Sequence, residues 1–140
     1  MKRALVGWKY GSAILTVDEP PTVELGGLEM AAAEIWSTDS TPPDLHRSAP
    51  AVGGEWQLKP PPQGTVFRVV TFAPGATTGP HATQTLDYLA VIAGSICLIV
   101  GEAETLLERG DVIVLNGAPH DWINRSDSPC VIAAVLVAAE

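Results

Sequence analysis

The chain has 140 residues, a length that argues for one domain with one substantial core. Hydrophobic residues make up 46% and charged residues 17%, which favours a folded chain over a disordered one. The formal net charge of -8 and the lack of a clustered basic stripe in the sequence argue against nucleic acid and anionic membranes as partners.

Hydropathy and cysteine usage predict the location and assembly of the protein. The mean hydropathy of +0.21 is high enough to predict a self-association surface, and we expect a homodimer. Apolar runs such as VIAAVLVAA are shorter than a membrane span. The N-terminal residues match the pattern of a signal peptide only weakly, so a cytoplasmic location is expected. Cys97 and Cys130 lie in apolar runs outside any C-x-x-C pair, which predicts buried free thiols.

The first 64 residues combine short strands with a long irregular segment. Apolar stretches interrupted by Gly, Pro and Asp predict strands and turns at residues 3–17 and 29–36. Residues 37–64 are rich in Pro, Gly and Ser and lack periodicity, as in a lid or arm. Trp56 and Leu58 within this segment indicate that it docks in part. We therefore expect residues 1–64 to supply strands and a Pro-rich arm that packs on the rest of one structural domain.

The remaining residues, 65–140, predict a series of short β-strands. In chain order the segments are TVFRVVTF, TLDYLAVIAG, SICLIV, ETLLE, GDVIVL, DWIN and PCVIAAVLVA. Many short strands separated by turns, with no helical period of useful length, predict an all-β sandwich or barrel.

Alternation along two of these segments places polar side chains on shared faces. His81, Thr83, Thr85 and Asp87 lie on one side of the first segment, because successive residues of a strand point to opposite faces. The other segment places three residues on one side: His120, Trp122 and Asn124. If both sides face one interior, two imidazoles and a carboxylate converge. Arg68 in VFRVV points either to solvent or inward, where it would bind a carboxylate or enolate.

Two motifs in this half of the chain resemble those of the cupin superfamily. The pattern G-x5-H-x-H-x3,4-E-x6-G is matched, with Thr in the second His position and Asp in the Glu position, by Gly75, His81, Thr83, Asp87 and Gly94. The pattern G-x5-P-x-G-x2-H-x3-N is matched, with a turn one residue shorter, by Gly110, His120 and Asn124. Residues 65–140 therefore resemble a small single-domain cupin with a degenerate metal motif. The resemblance implies a jelly-roll β-barrel, or double-stranded β-helix.

The leading hypothesis is acid–base chemistry without a cofactor. Some metal-poor cupins that this chain resembles are dehydratases, cyclases or isomerases of polyketide-like hydroxy-carbonyl compounds. His81 and His120 can exchange protons near neutral pH, with Asp87 orienting one of them. The substrate would then be contacted by Arg68, Thr83, Trp122 and Asn124.

Two other functions stay open. His81, Asp87 and His120 are also the composition of a facial triad for a divalent metal such as Fe, Mn, Ni or Zn, as in a non-haem iron dioxygenase. Against this, Asp is one methylene shorter than Glu, and Thr83 is a poor ligand. The third function is that of a non-catalytic cupin that binds a small molecule and leaves it unchanged.

Overall fold

The computed structural model describes residues 1–52 and 56–140 and builds them from β-strands. The described ranges contain no α-helix, and therefore no helix that could cross a membrane. The strands are β1 (Arg3–Lys9), β2 (Ser12–Asp18), β3 (Thr22–Leu25), β4 (Met30–Thr38), β5 (Thr65–Phe72), β6 (Thr85–Ala93), β7 (Ser95–Val100), β8 (Ala103–Glu108), β9 (Val112–Leu115), β10 (Asp121–Ile123) and β11 (Cys130–Ala138). The prediction of an all-β fold is confirmed. The Pro-rich segment connects β4 to β5, and its residues 53–55 lie outside the described residues.

Two antiparallel sheets form the body of the protein. The larger sheet has six strands in the order β3-β4-β5-β11-β6-β9, and the smaller has three in the order β10-β7-β8. Both contribute to one core, in which Val70 and Ile132 of the larger sheet join Ile96 and Trp122 of the smaller. β11 shows why the chain folds this way, since its alternate residues are buried along its whole length.

The N-terminal strands divide between the main sheet and a separate hairpin. β3 and β4 extend the six-stranded sheet, and β1 and β2 pair as a two-stranded sheet. Tyr10 and Gly11 join β1 to β2 with φ values of 51° and 77°, as a two-residue type I′ turn requires. Arg3 fixes the base of the hairpin, since its Nη1 donates a 2.9 Å hydrogen bond to the carbonyl of Ile35.

The two cysteines are free and buried, as the sequence predicts. Burial raises the pKa of the Cys130 thiol to about 11. A thiol with a raised pKa is a poor nucleophile, because the thiolate is the reactive form. Cys130 is therefore part of the packing and not of a reactive site.

Candidate functional site

A cavity of about 260 Å³ is lined by residues of both sheets and of the segment between β4 and β5. Most of the wall that the described residues form is apolar, and the polar side chains among them are Arg68, Thr78, His81, Thr83, Asp87 and His120. Trp122 lies in the same wall. The structure thus brings together six of the seven residues that the sequence singles out, and Asn124 is the exception.

His81 and His120 face each other because their backbones form an isolated antiparallel bridge. The amide of each residue donates a 2.9 Å hydrogen bond to the carbonyl of the other. Residues directly opposite in an antiparallel pair carry their side chains on the same face. The two imidazole rings consequently meet with their centroids 4.4 Å apart.

Backbone carbonyls fix the orientation of both imidazoles. His81 Nδ1 lies 3.0 Å from the carbonyl oxygen of Gly79, and His120 Nδ1 lies 2.9 Å from that of Ala118. A carbonyl can only accept, so Nδ1 is the protonated nitrogen, and in the neutral ring Nε2 keeps a free lone pair. Both rings therefore offer an unprotonated Nε2 as a base.

The sequence carries a signal for this arrangement that the strand pattern does not reveal. Each histidine follows a small residue and a proline, in Gly79-Pro80-His81 and Ala118-Pro119-His120. In both cases the carbonyl that holds Nδ1 belongs to the residue two positions earlier. Proline fixes its own φ and limits the residue before it, so the tripeptide presents the carbonyl in a restricted geometry.

Asp87 lies in the cavity wall with 7% of its surface exposed. Its Oδ1 accepts a 2.6 Å hydrogen bond from the Thr85 hydroxyl, which in turn lies 2.7 Å from the hydroxyl of Thr83. Burial raises the pKa of Asp87, and the Thr85 hydrogen bond and the nearby basic groups only partly oppose this. Among the described residues no hydrogen bond joins Asp87 to a histidine, so the carbonyls, and not the expected carboxylate, orient the rings.

Trp122 forms one wall of the cavity beside His120. Its ring is 4% exposed and packs edge to face on the imidazole, with centroids 6.0 Å apart and planes at 78°. Its indole limits the rotation of the His120 ring and covers it from water.

Arg68 points inward and is 4% exposed, which is one of the two orientations that the sequence left open. Its Nε lies 2.9 Å from Glu34 Oε1, because Glu34 and Arg68 are cross-strand neighbours on β4 and β5. Nη2 and Nη1 donate hydrogen bonds of 2.7 and 3.0 Å to the carbonyls of Gln57 and Leu58, and the guanidinium lies 4.9 Å from the Trp56 ring centroid. Arg68 thus holds the segment before β5 against the cavity.

Sequence reasoning missed Glu34 as a partner of this site. The available signal was a lone carboxylate in the apolar run MAAAEIW and a lone guanidinium in VFRVV. Two isolated opposite charges in strands that are otherwise apolar are expected to pair when both are buried. The pairing itself depends on the register of β4 on β5, which the sequence does not specify.

Asn124 is a structural residue and not a cavity residue. β10 ends at Ile123, and the Asn124 side chain, fully buried at 0% exposure, turns to the loop that follows. Its Nδ2 donates to the carbonyls of Phe72 and Ser128, and its Oδ1 accepts from the amide of Ser126. The predicted contact of Asn124 with substrate is therefore not available in this geometry.

The side chains of the site do not fit the expected metal triad. Within residues 1–52 and 56–140, no three His, Cys, Asp or Glu side chains are grouped so that they could hold one ion. His81 and His120 are adjacent, but Asp87 does not complete a three-ligand set with them. The carbonyl-anchored Nδ1 atoms would suit two imidazole ligands, yet two ligands are fewer than a protein metal site ordinarily uses.

Comparison with known proteins establishes the family. The cupin domain family model, Cupin_2, matches residues 68–137, which include the cavity-lining Arg68, His81, Asp87 and His120. The chain belongs to the cupin family. The jelly-roll fold of this cupin agrees with that of the cupin domain of Cnp3 from Schizosaccharomyces pombe, at a TM-score of 0.61 and 8% identity over 98% of this chain and 87% of that one.

Curated relatives of this cupin come from fungi. Phomopsin biosynthesis cluster protein C′ of Diaporthe leptostromiformis is 36% identical over 115 residues, which cover 78% of this chain and 60% of the relative. The cupin-domain-containing oxidoreductase srdB of Neurospora crassa is 35% identical over 112 residues, which cover 75% of this chain and 54% of the relative. The chain thus spans little more than half the length of these relatives.

Proposed function

We propose that this cupin is a metal-independent lyase or isomerase. The leading candidate within this class is a dehydratase of a small hydroxy-carbonyl compound. One observation carries the proposal. His81 and His120 line one largely apolar cavity with Nδ1 of each held by a carbonyl, and the buried carboxyl of Asp87 lies in the same wall. Such a set supplies bases and an acid to one bound molecule.

The base in this reaction is an imidazole Nε2. Loss of water from a β-hydroxy carbonyl compound begins with removal of the proton α to the carbonyl, and the electron pair forms an enol or enolate. Nε2 of His81 or His120 accepts that proton, since Nδ1 is already protonated and bonded to the backbone. Because the rings are held by the backbone before substrate arrives, they do not have to be ordered during the reaction.

The acid is the group that protonates the leaving hydroxyl. Asp87 suits this role, because its raised pKa favours the protonated form that can donate. As the enol electrons form the new C=C bond, the C–O bond breaks and the hydroxyl leaves as water with the donated proton. Because the Thr85 hydroxyl donates to Asp87, the Thr83 hydroxyl donates to Thr85, and its oxygen in the same wall can accept a hydrogen bond from the substrate hydroxyl. An isomerase would use the same base and return the proton at another carbon.

Histidine variants test this proposal. The purified protein is incubated with a panel of β-hydroxy aldehydes and ketones, and loss of one water is followed by mass spectrometry. His81→Ala and His120→Ala should each lower turnover by about 10²- to 10⁴-fold, the usual contribution of a general acid or base. His46→Ala is the matched control, since His46 packs on Trp8 outside the cavity. Conversion by wild type that survives either cavity variant would contradict the proposal.

A second candidate is an oxidoreductase. The specific observation that favours it is the name of relatives such as srdB, a cupin-domain-containing oxidoreductase. Bound metal distinguishes the candidates. If this cupin uses metal, protein purified without chelator should carry about one divalent ion per chain, and His120→Ala should release it. If the dehydratase proposal holds, turnover is the same before and after treatment with EDTA. Tight binding of a compound with no conversion would support the third candidate, a ligand-binding cupin.

A further inference from the structure

The charged side chains at the cavity do not form an anion site. Among the described residues, the guanidinium of Arg68 is paired with the carboxylate of Glu34, and the acidic side chain in the cavity wall is Asp87. Both imidazoles are held by Nδ1 and present an unprotonated Nε2 to the cavity in their neutral form. With neutral imidazoles the Arg68–Glu34 pair leaves no net positive charge among these side chains, whether Asp87 is protonated or ionised, so a carboxylate ligand loses its hydration without meeting an unpaired opposite charge.

The guanidinium of Arg68 has no free fork for a carboxylate. Its Nε edge faces Glu34, with Nε 2.9 Å from Oε1 and Nη2 3.3 Å from Oε2. Its remaining edge donates to the carbonyls of Gln57 and Leu58. Bidentate recognition needs two parallel N–H groups on one edge. A ligand carboxylate could gain such an edge only by displacing Glu34 or the segment that carries Trp56.

The rest of the cavity favours an apolar ligand. Its wall contains leucine, valine, phenylalanine and isoleucine side chains from the main sheet, with Trp56 and Trp122 at its sides. An apolar cavity of about 150 Å³ holds a benzene molecule. The volume here is about 260 Å³, which is room for a bicyclic skeleton or for one ring with a short chain.

We infer that the cavity selects an uncharged, largely apolar ligand with one polar end, and that Glu34 determines this selection by neutralising Arg68. The polar end meets His81, His120 and Asp87, and the apolar skeleton lies against the remaining wall. The inference rests on the proposed function in assuming that this cavity is where a small molecule binds. It narrows the substrate to hydroxy-carbonyl compounds that lack a carboxylate or phosphate.

Calorimetry with two probes of equal skeleton tests the charge selection. 2-Naphthol is neutral near pH 7.5, and 2-naphthoate is an anion. Wild-type protein should bind 2-naphthol at least tenfold more tightly, equivalent to about 1.4 kcal/mol. Equal or tighter binding of 2-naphthoate would overturn the inference, and so would failure to bind either probe, since the cavity would then not accept apolar ligands of this size.

The variant Glu34→Gln tests the role of Glu34. It keeps the shape and an acceptor for Arg68 but removes the charge, so 2-naphthoate should bind at least tenfold more tightly while 2-naphthol binding stays within about twofold. Glu102→Gln, in the exposed turn between β7 and β8, makes the same change in net charge and should alter neither affinity. An unchanged ratio in Glu34→Gln would overturn the inference.

Two further arms keep the test decisive. If Glu34→Gln does not fold, Glu34→Met removes the same charge and should shift the ratio in the same direction. Because the readout is binding, its outcome is independent of turnover. Conversion of a carboxylate substrate that depends on both cavity histidines would reject the charge selection and leave the proposed chemistry standing. Selective binding of 2-naphthol without any conversion of the hydroxy-carbonyl panel would support the charge selection and reject the proposed chemistry.

Discussion

The change Asn124→Ala separates a structural role from a role in binding. Asn124 is fully buried and satisfies three backbone groups: the carbonyls of Phe72 and Ser128, at 3.1 and 2.8 Å, and the amide of Ser126, at 3.0 Å. Its Oδ1 also accepts from the Ser126 hydroxyl, which keeps the Ser128 carbonyl as a second partner. Alanine removes all of these contacts and can replace none of them.

The expected cost follows from that inventory. Each of the three backbone hydrogen bonds contributes about 1 kcal/mol, and the groups left behind are in part shielded from water, so the free energy of unfolding should fall by roughly 3 kcal/mol. For a chain of this length that corresponds to a decrease in Tm of roughly 10 °C. Differential scanning fluorimetry and urea denaturation measure both quantities. The matched control is Asn116→Ala, since Asn116 is exposed and should change stability by no more than about 0.5 kcal/mol.

Binding completes the test of Asn124. Since its amide faces the loop and not the cavity, folded Asn124→Ala protein should bind 2-naphthol within about twofold of wild type, a difference of less than about 0.5 kcal/mol. An unchanged Tm together with a tenfold weaker affinity would refute the structural role and restore the contact with substrate that the sequence alone predicts.

Three further predictions concern stability and assembly. Asp87→Asn should raise Tm at pH 7.5, because burial raises the pKa of Asp87 and ionisation of this carboxyl destabilises the fold as pH rises through that pKa. The gain in Tm should shrink at pH 4. A lower Tm of Asp87→Asn at pH 7.5 would contradict the raised pKa. Gly94→Ala should lower the free energy of unfolding by more than about 3 kcal/mol, because φ is +72° and the new Cβ would lie 2.2 Å from the carbonyl oxygen of Pro129. The control Gly101→Ala, at φ +58° in open space, should cost only the roughly 1–2 kcal/mol of the left-handed conformation. Equal losses of stability in the two variants would show that the close approach at Gly94 is relieved. The homodimer predicted from the apolar composition should be visible by light scattering at micromolar concentration. Leu15→Lys, on the exposed face of the β1–β2 hairpin, should convert the dimer to a monomer. A monomeric wild-type protein would reject the predicted homodimer.

The fold was accessible from the sequence because its evidence is local. Strand alternation, turn residues and two spaced motifs each lie within a few residues of one another, and together they identify the β-strands and the cupin resemblance. The same alternation places His81 and Asp87 on one face of their segment, and it places His120 and Trp122 on one face of another segment. The structure brings all four to one cavity.

The rest of the site depends on contacts between residues far apart in the chain. The pairing of Glu34 with Arg68 is set by the register of two strands separated by the Pro-rich segment, and a shift of one residue would send either side chain to the other face. The prediction that Asn124 contacts substrate is wrong for a related reason. Alternation of side chains applies only while the strand continues, and β10 ends one residue before Asn124. The anchoring of both imidazoles by carbonyls depends on turn geometry, which strand periodicity does not describe.

The most direct test of the central claim is the tautomeric state of the histidines, measured by ¹⁵N NMR on histidine-labelled protein purified without chelator. At pH 8, His81 and His120 should each show a protonated Nδ1 and an unprotonated Nε2, because Gly79 and Ala118 hold the former. Both Nε2 resonances should move when 2-naphthol is added, and those of His46 should not. A protonated Nε2 on either cavity histidine, or a ligand response at only one of them, would contradict the claim that two prepared bases share one bound molecule.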